Sequence, residues 1–481
     1  MNQISDSLPL SRWRAEGREG EVLRVALPLI LSSSSWTIQH FMDRVFLTWY
    51  SPQAIAAAMP SGILLFTFIC FFLGTANYVN TFVAQYVGAG RPQRVGAAIW
   101  QGVYFSLPAG AILLCLMPFA KGIFSLIGHA PDVQVEEVTY FRILCLSGWP
   151  TVLGAALACF FTGRGMTWPV MWVSAIVTAI HVLLDYLWIF GNWGFPRMGI
   201  AGAAWASVVC DFLIAAAYVV LLLRREPREK FGLLSGWRPD WDLFKRLLRY
   251  GAPNGVQFML DLAAFTAFLL LVGKLGEKEL AATNVAFSIN TLAFMPMIGI
   301  GTAVATLVGQ RLGQNQSEVA ERTTWTALRL TFLYMGLISA AYVFCPWVFV
   351  WLFAAGNDAA ALRDILPVTV VLLRFVALYS LFDSLNIVMA SAVKGAGDTR
   401  FVMFATVILG WALMVIPTYL FCIKGRHGLY WAWGFATVYV ICLGLMFLMR
   451  FMGGKWKQMR VIEAVPAPAP PPLPEVPVTE V

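Results

Sequence analysis

The sequence predicts an all-α integral membrane protein of about twelve transmembrane helices, arranged as two six-helix bundles. Three observations carry that prediction. Of 481 residues, 59% are hydrophobic and only 12% charged, with a mean hydropathy of +0.71, whereas a soluble domain carries about 25% charged residues. Apolar stretches long enough to cross a bilayer recur along almost the whole chain. The second run of such stretches also repeats residues of the first. This composition excludes a soluble domain and chain-wide disorder, and it leaves no length for a large soluble enzyme domain.

Residues 1–20 are polar and of mixed charge, without an apolar core followed by a small-residue cleavage site, so we expect a cytoplasmic N-terminal segment and no removable signal peptide. Apolar segments then recur at 23–50, 54–87, 96–119, 140–162, 169–189 and 199–223, forming a first lobe over 21–223. A basic stretch, RREPREKFGLLSGWRPDWDLFKRLLR from Arg224 to Arg249, supplies the linker over 224–246. Six more segments, at 247–272, 280–312, 324–353, 366–393, 401–423 and 428–452, form a second lobe over 247–452. From 453 to 481 the chain becomes Pro-rich, and we expect a disordered cytoplasmic tail.

Charge sets the orientation. With the N-terminus inside, about 24 of the 34 Lys and Arg fall on the inner side, which predicts a multi-pass inner-membrane protein with both termini cytoplasmic. The net charge of +8 is thereby explained without nucleic acid. All 8 cysteines lie in apolar stretches as small packing residues, with no disulfide framework or CxxC pair. Shifting the sequence by 225 superposes Leu23, Arg24 and Pro28 on Leu248, Arg249 and Pro253, then Gly74 on Gly299, Thr81 on Thr306, Gln85 on Gln310 and Gly88 on Gly313. A shift of 232 superposes Arg142 on Arg374 and the G-x-G-x-T of Gly163 on that of Gly395. Six spans per half is an even number, so both halves enter from the same side as a parallel repeat, with a cavity between the bundles.

An ionised side chain at bilayer depth costs at least about 2.5–3.5 kcal/mol, so each one needs a reason. Five carboxylates qualify: Asp43, Asp185, Asp211, Asp261 and Asp383. Asp43 closes the first span, with Gln39 and His40 one turn back on the same face. His181 and Asp185, spaced i, i+4 in H-V-L-L-D, share a face of the fifth span; this pair suits a buried hydrogen bond, a metal half-site or a proton relay, and we expect a cation role rather than a bound metal. Asp211 is equally compatible with a structural partner. On the seventh span Asp261 follows Pro253, Asn254 and Gln257; on the tenth Asp383 lies between Tyr379 and Asn386. Asn284, Ser288 and Thr291 on the eighth span are spaced to line the same interior or to bond across helices. A carboxylate out of water takes up a proton readily, and a bound cation restores its charge, so one such site can exchange two cations in turn. The 14% aromatic content, with 18 Met, suits a cavity that stacks flat hydrophobic cations.

Several motifs together resemble the multidrug and toxic compound extrusion (MATE) family. They are L-R-V-A-L-P-L-I, F-M-D-R-V-F-L, V-A-Q-Y-V-G-A-G-R, H-V-L-L-D-Y-L-W-I-F-G, G-I-A-G-A-A-W-A-S and K-G-A-G-D-T-R, and the resemblance runs from Glu21 to Met452. It implies a V-shaped pair of bundles that alternates between inward and outward access and exports hydrophobic, often cationic drugs in exchange for Na⁺ or H⁺. The family's essential Asp of the first helix matches Asp43 and that of the fifth matches Asp185; the position four residues earlier, usually Asn, is His181. The family's sixth-helix Thr corresponds to Ser207. In the NorM-like branch a C-lobe cation site matches Asp261, Tyr379 and Asp383. Gln39, Gln257, Asn284 and Asn386 are candidates for the substrate cavity. The expected partners are small drugs and membrane lipid, the expected state is a monomer, and no cofactor beyond the coupling ion is implied. A lipid flippase of the same superfamily, or a membrane enzyme using His181 and Asp185, is the alternative.

Overall fold

The computed structural model describes residues 17–354 and 365–463, and every regular element among them is helical. The first half holds α1 (Glu19–Tyr50), α2 (Pro52–Asn77), α3 (Val79–Gly88), α4 (Pro92–Leu114), α5 (Ala120–Ile127), α6 (Pro131–Cys145), α7 (Gly148–Gly163), α8 (Trp168–Phe190) and α9 (Ile200–Leu222). The short α10 (Arg225–Lys230) lies in the linker. The second half holds α11 (Trp241–Gly273), α12 (Glu277–Gly313), α13 (Ser317–Phe344), α14 (Pro346–Ala354), α15 (Leu366–Ala396), α16 (Thr399–Leu409) and α17 (Leu429–Met452).

Among the described residues, 10 helical stretches are long and apolar enough to cross a membrane, and the pair α6–α7, bent by 42°, makes 11. The expected first span is the one that does not qualify on composition. Helix α1 has 32 residues, about 48 Å of length, but Ser32 to Ser35, Gln39, His40, Asp43 and Arg44 make it too polar. It nevertheless packs within the bundle, against α8 and α12. The expected fourth span begins earlier than its hydropathy indicated, because α6 carries Asp132, Gln134, Glu136 and Glu137 in its first turns behind Pro131. Beyond α16 the eleventh span winds into π-helical turns at Gly410–Val415 and Thr418–Lys424, which widen the helix.

The sequence repeat reappears in the packing. Helix α1 crosses onto α12 of the other half and α8 of its own, while α11 crosses onto α2 of the other half and α16 of its own. A Cβ on Gly74 would lie 2.7 Å from Gly255 Cα, and one on Gly299 would lie 2.8 Å from Ile30 N. Ile30 and Gly255 are themselves 225 residues apart, so each half lends its first helix to the other through the same close backbone approach. Two apolar clusters fill the first half, and one of them takes in Phe231, Leu243 and Val461. A third, built on α12, α15 and α17, takes in Val22, Val25 and Leu29 of α1.

Residues 453–463, expected within a disordered tail, are folded. A 3₁₀ turn at Lys455–Gln458 follows α17, and Trp456 is 1% exposed, stacked on Phe451 with ring centroids 4.8 Å apart. The Pro-rich stretch from 464 onward lies outside the described residues.

Candidate functional site

In the first half, α1, α8 and α9 bring together Asp43, His181, Asp185 and Ser207. The i, i+4 spacing on α8 turns His181 and Asp185 the same way, and His181 Nδ1 lies 3.2 Å from Asp185 Oδ2 and 3.5 Å from Asp43 Oδ1. On the far side of the imidazole, Nε2 is 3.2 Å from Ser207 Oγ, which holds the ring with Nδ1 toward the two carboxylates. The side chains of His181 and Asp185 are fully buried and that of Asp43 is 8% exposed. Asp43 Oδ1, His181 Nδ1 and both Asp185 carboxylate oxygens have no aligned hydrogen-bond partner among the described residues. Burying such groups is costly unless a proton or a cation completes them. Ligand atoms of the three residues all lie within 4.8 Å of one another, and no other group of three His, Cys or acidic side chains does so among the described residues.

His40 marks the mouth of this cluster, 3.7 Å from Asp43 Oδ2 and half exposed. Asp211 has a structural partner, since Thr151 Oγ1 donates to its Oδ2 at 2.8 Å. Gln39 is half-buried and stands outside the cluster.

The second half is built differently. Asp261 on α11 is exposed and Asp383 on α15 half-buried, so these carboxylates face accessible surface instead of a sealed pocket. Asp261, Asp383, Tyr379 and Gln257 each have a partner. Tyr439 of α17 donates its hydroxyl to Asp261 Oδ1 at 3.3 Å, Asn386 Nδ2 donates to Asp383 Oδ1 at 3.1 Å, and Asn290 Nδ2 donates to the Tyr379 hydroxyl at 3.5 Å. Gln257 Nε2 reaches Thr406 Oγ1 on α16 at 3.5 Å. Asn284, Ser288 and Thr291 are exposed on α12.

Sequence reasoning missed Tyr439 and Asn290, because their partners lie on other helices at no fixed spacing. It also missed an aromatic row that joins the halves. Trp36 packs edge-on to His40 at 4.4 Å and lies 5.9 Å from Phe66, which meets Phe258 of α11 at 6.1 Å. His40 precedes Asp43 by three residues and Phe258 precedes Asp261 by three, so the row runs from one carboxylate's helix turn to the other's.

The family model MatE matches this chain over residues 28–187 and again over 253–420. The chain belongs to the MatE family. The two matched segments fall one in each half, as the internal repeat requires, and membership makes the protein a membrane transporter and not an enzyme. Among similar MatE relatives is the "Probable multidrug resistance protein NorM" of Burkholderia mallei, 28% identical over 424 residues, which cover 87% of this chain and 90% of the relative. The protein of the same name from Thermotoga maritima is 24% identical, covering 92% and 94%. Solved structures share the MatE fold. A MOP superfamily transporter from Pyrococcus furiosus matches with a TM-score of 0.83 at 18% identity, over 93% of this chain and 98% of that one. The eukaryotic MATE transporter AtDTX14 matches with a TM-score of 0.81 at 18% identity, over 91% and 96%.

Proposed function

We propose that this protein is a secondary multidrug antiporter of the inner membrane that exports hydrophobic, cationic compounds in exchange for protons. In this reading a first lobe (21–223) and a second lobe (247–452) alternate access to a cavity between them, and both termini are cytoplasmic. The NorM relatives, named for multidrug resistance, support the substrate class. The aromatic row of Trp36, Phe66 and Phe258 offers flat, apolar faces close to carboxylates, which suits an aromatic cation.

One observation carries the choice of ion: His181 Nδ1, sealed between Asp43 and Asp185. Hard cations such as Na⁺ favour all-oxygen ligand sets, whereas an imidazole between carboxylates holds a proton well. Protonation of the triad neutralises the buried carboxylates, and the proton's loss on the other side restores their charge. That cycle of charge is what drives the lobe between two packings.

The test is efflux of a fluorescent organic cation from proteoliposomes under a proton gradient alone and a Na⁺ gradient alone. Proton-driven efflux should fall at least tenfold in Asp43→Asn and Asp185→Asn, and far less in Asp383→Asn. Na⁺-driven efflux that persists in Asp43→Asn and disappears in Asp383→Asn would move the coupling to the second lobe. Transport of labelled lipid in place of the drug would identify a flippase.

A further inference from the structure

At the end that the charge distribution makes cytoplasmic, two repeat-related hydrogen bonds tie the lobes. Gln85 Nε2 on α3 donates to Gly395 O at 3.0 Å, and Gln310 Nε2 on α12 donates to Gly163 O at 2.7 Å. The glutamines are 225 residues apart and the glycines 232, so the two bonds exchange partners across the lobes. Asn80 Nδ2, donating to Thr306 Oγ1 at 3.0 Å, and the Tyr78 hydroxyl, donating to Lys394 O at 2.8 Å, close the same face.

The chain after α17 breaks this symmetry. Its root is fixed on the second lobe. Trp456 is buried with Nε1 donating to Phe451 O at 2.8 Å, Lys457 Nζ pairs with Glu321 at 2.5 Å, and Arg460 Nη2 reaches Asn315 Oδ1 at 3.4 Å. Its tip is fixed on the first lobe and on Arg246 at the start of α11. Val461 N donates to Gln85 Oε1 at 2.9 Å, so the amide of Gln85 is used at both ends. Glu463 accepts from the Tyr86 hydroxyl at 2.7 Å, Arg246 Nη1 at 2.7 Å and Arg94 Nε at 3.1 Å, while Arg91 Nη1 donates to its carbonyl at 3.3 Å.

We propose that residues 455–463 are a cytoplasmic latch, with Glu463 as its hook among Tyr86, Arg91, Arg94 and Arg246, which holds the cytoplasmic side shut and releases before drug enters. The latch rests on the two-lobed transporter reading, but its geometry owes nothing to the coupling site. Charge-assisted bonds of this kind are short and directional, and they hold only while the tip and the arginines keep register, so separation of the lobes breaks those to Tyr86, Arg91 and Arg94 together. Burial alone would push the Glu463 carboxyl up, but the Tyr86 hydroxyl, Arg94 and Arg246 outweigh it and hold it at about 2. The hook is therefore ionised throughout the cellular pH range, and the latch opens by motion and not by protonation.

The test measures the distance between spin labels on Arg228→Cys and Glu318→Cys, both exposed, in full-length protein with Cys115, Cys345 and Cys442 changed to serine. Glu463→Gln and Glu463→Ala should enrich the long-distance, cytoplasm-open population roughly threefold to tenfold over the parent. They should also accelerate hydrogen exchange over 457–463. A group held below its ordinary value contributes above that value, about 4.5, and loses its contribution as pH falls toward the lowered one. The variants' effect should therefore be the same at pH 6 and pH 8. Unchanged distances overturn the latch, whether exchange over 457–463 stays slow or becomes fast. Because neither readout involves drug or ion transport, failure here is distinct from failure of the antiporter reading.

Discussion

At the residue scale the site turns on one side chain. His181 occupies the position where the resemblance implies asparagine, and its ring is pinned on one side by Ser207 and faces two carboxylates on the other. Replacing it with Asn returns an oxygen ligand and removes the imidazole nitrogen. His181→Asn should lower proton-driven efflux about tenfold and admit Na⁺ drive, read in the same proteoliposomes under each gradient. Efflux equally proton-driven in the variant would mean that the carboxylates alone carry the proton. His181 and Asp185 were legible in the sequence because i, i+4 on one helix fixes a shared face. Ser207 was reached through the resemblance, and its contact with His181 is the geometry that gives it a role. Tyr439 was illegible: it meets Asp261 across 178 residues, and no spacing within one helix announces such a partner.

At the element scale apolar length found nearly every span, because the bilayer imposes it. It was late at the fourth span, whose helix α6 starts at Pro131 with an acidic first stretch that hydropathy does not register. The π-helical turns after α16 have no composition of their own and arise only from packing. Close helix crossings were partly legible, as glycines that recur at the repeat shift. Gly88 ends α3 against the carbonyl of Gln310, and Gly313 ends α12 against that of Gln85. A methyl group at either site would drive α3 and α12 apart. Gly88→Ala should cost about 1–3 kcal/mol from overpacking, more than the roughly 1 kcal/mol that alanine returns in helix propensity. Its melting temperature in detergent should therefore fall. Gly62→Ala on α2, where nothing lies within 4 Å, receives the propensity gain alone and should melt no lower than the parent. Equal melting of the two variants would show that the α3–α12 approach is slack.

At the scale of the whole molecule the two halves are alike in sequence register and in the way they trade first helices, yet they differ at the carboxylate sites and at the face where the two glutamines cross. One half seals an imidazole between carboxylates while the other leaves Asp261 exposed. Of the two repeat-related glutamines, only Gln85 also holds the latch. A symmetric gate with an asymmetric latch makes a prediction that neither part makes alone. Removing the amide in Gln85→Leu or in Gln310→Leu deletes one bond of the repeat-related pair, so each should raise the cytoplasm-open population by a similar factor through the gate. Gln85→Leu also frees Val461 N and should raise it further, by about the factor that Glu463→Ala produces. Combining substitutions separates the contributions. Glu463→Ala added to Gln310→Leu removes independent contacts, so the two factors should multiply. Glu463→Ala added to Gln85→Leu removes a latch already unseated and should add little. Multiplicative behaviour in both pairs, read by the same spin-label distances, would mean that Val461 and Glu463 hold the first lobe separately. Coupling confined to the Gln85 pair is what a single strap, seated on one half of a twofold gate, requires.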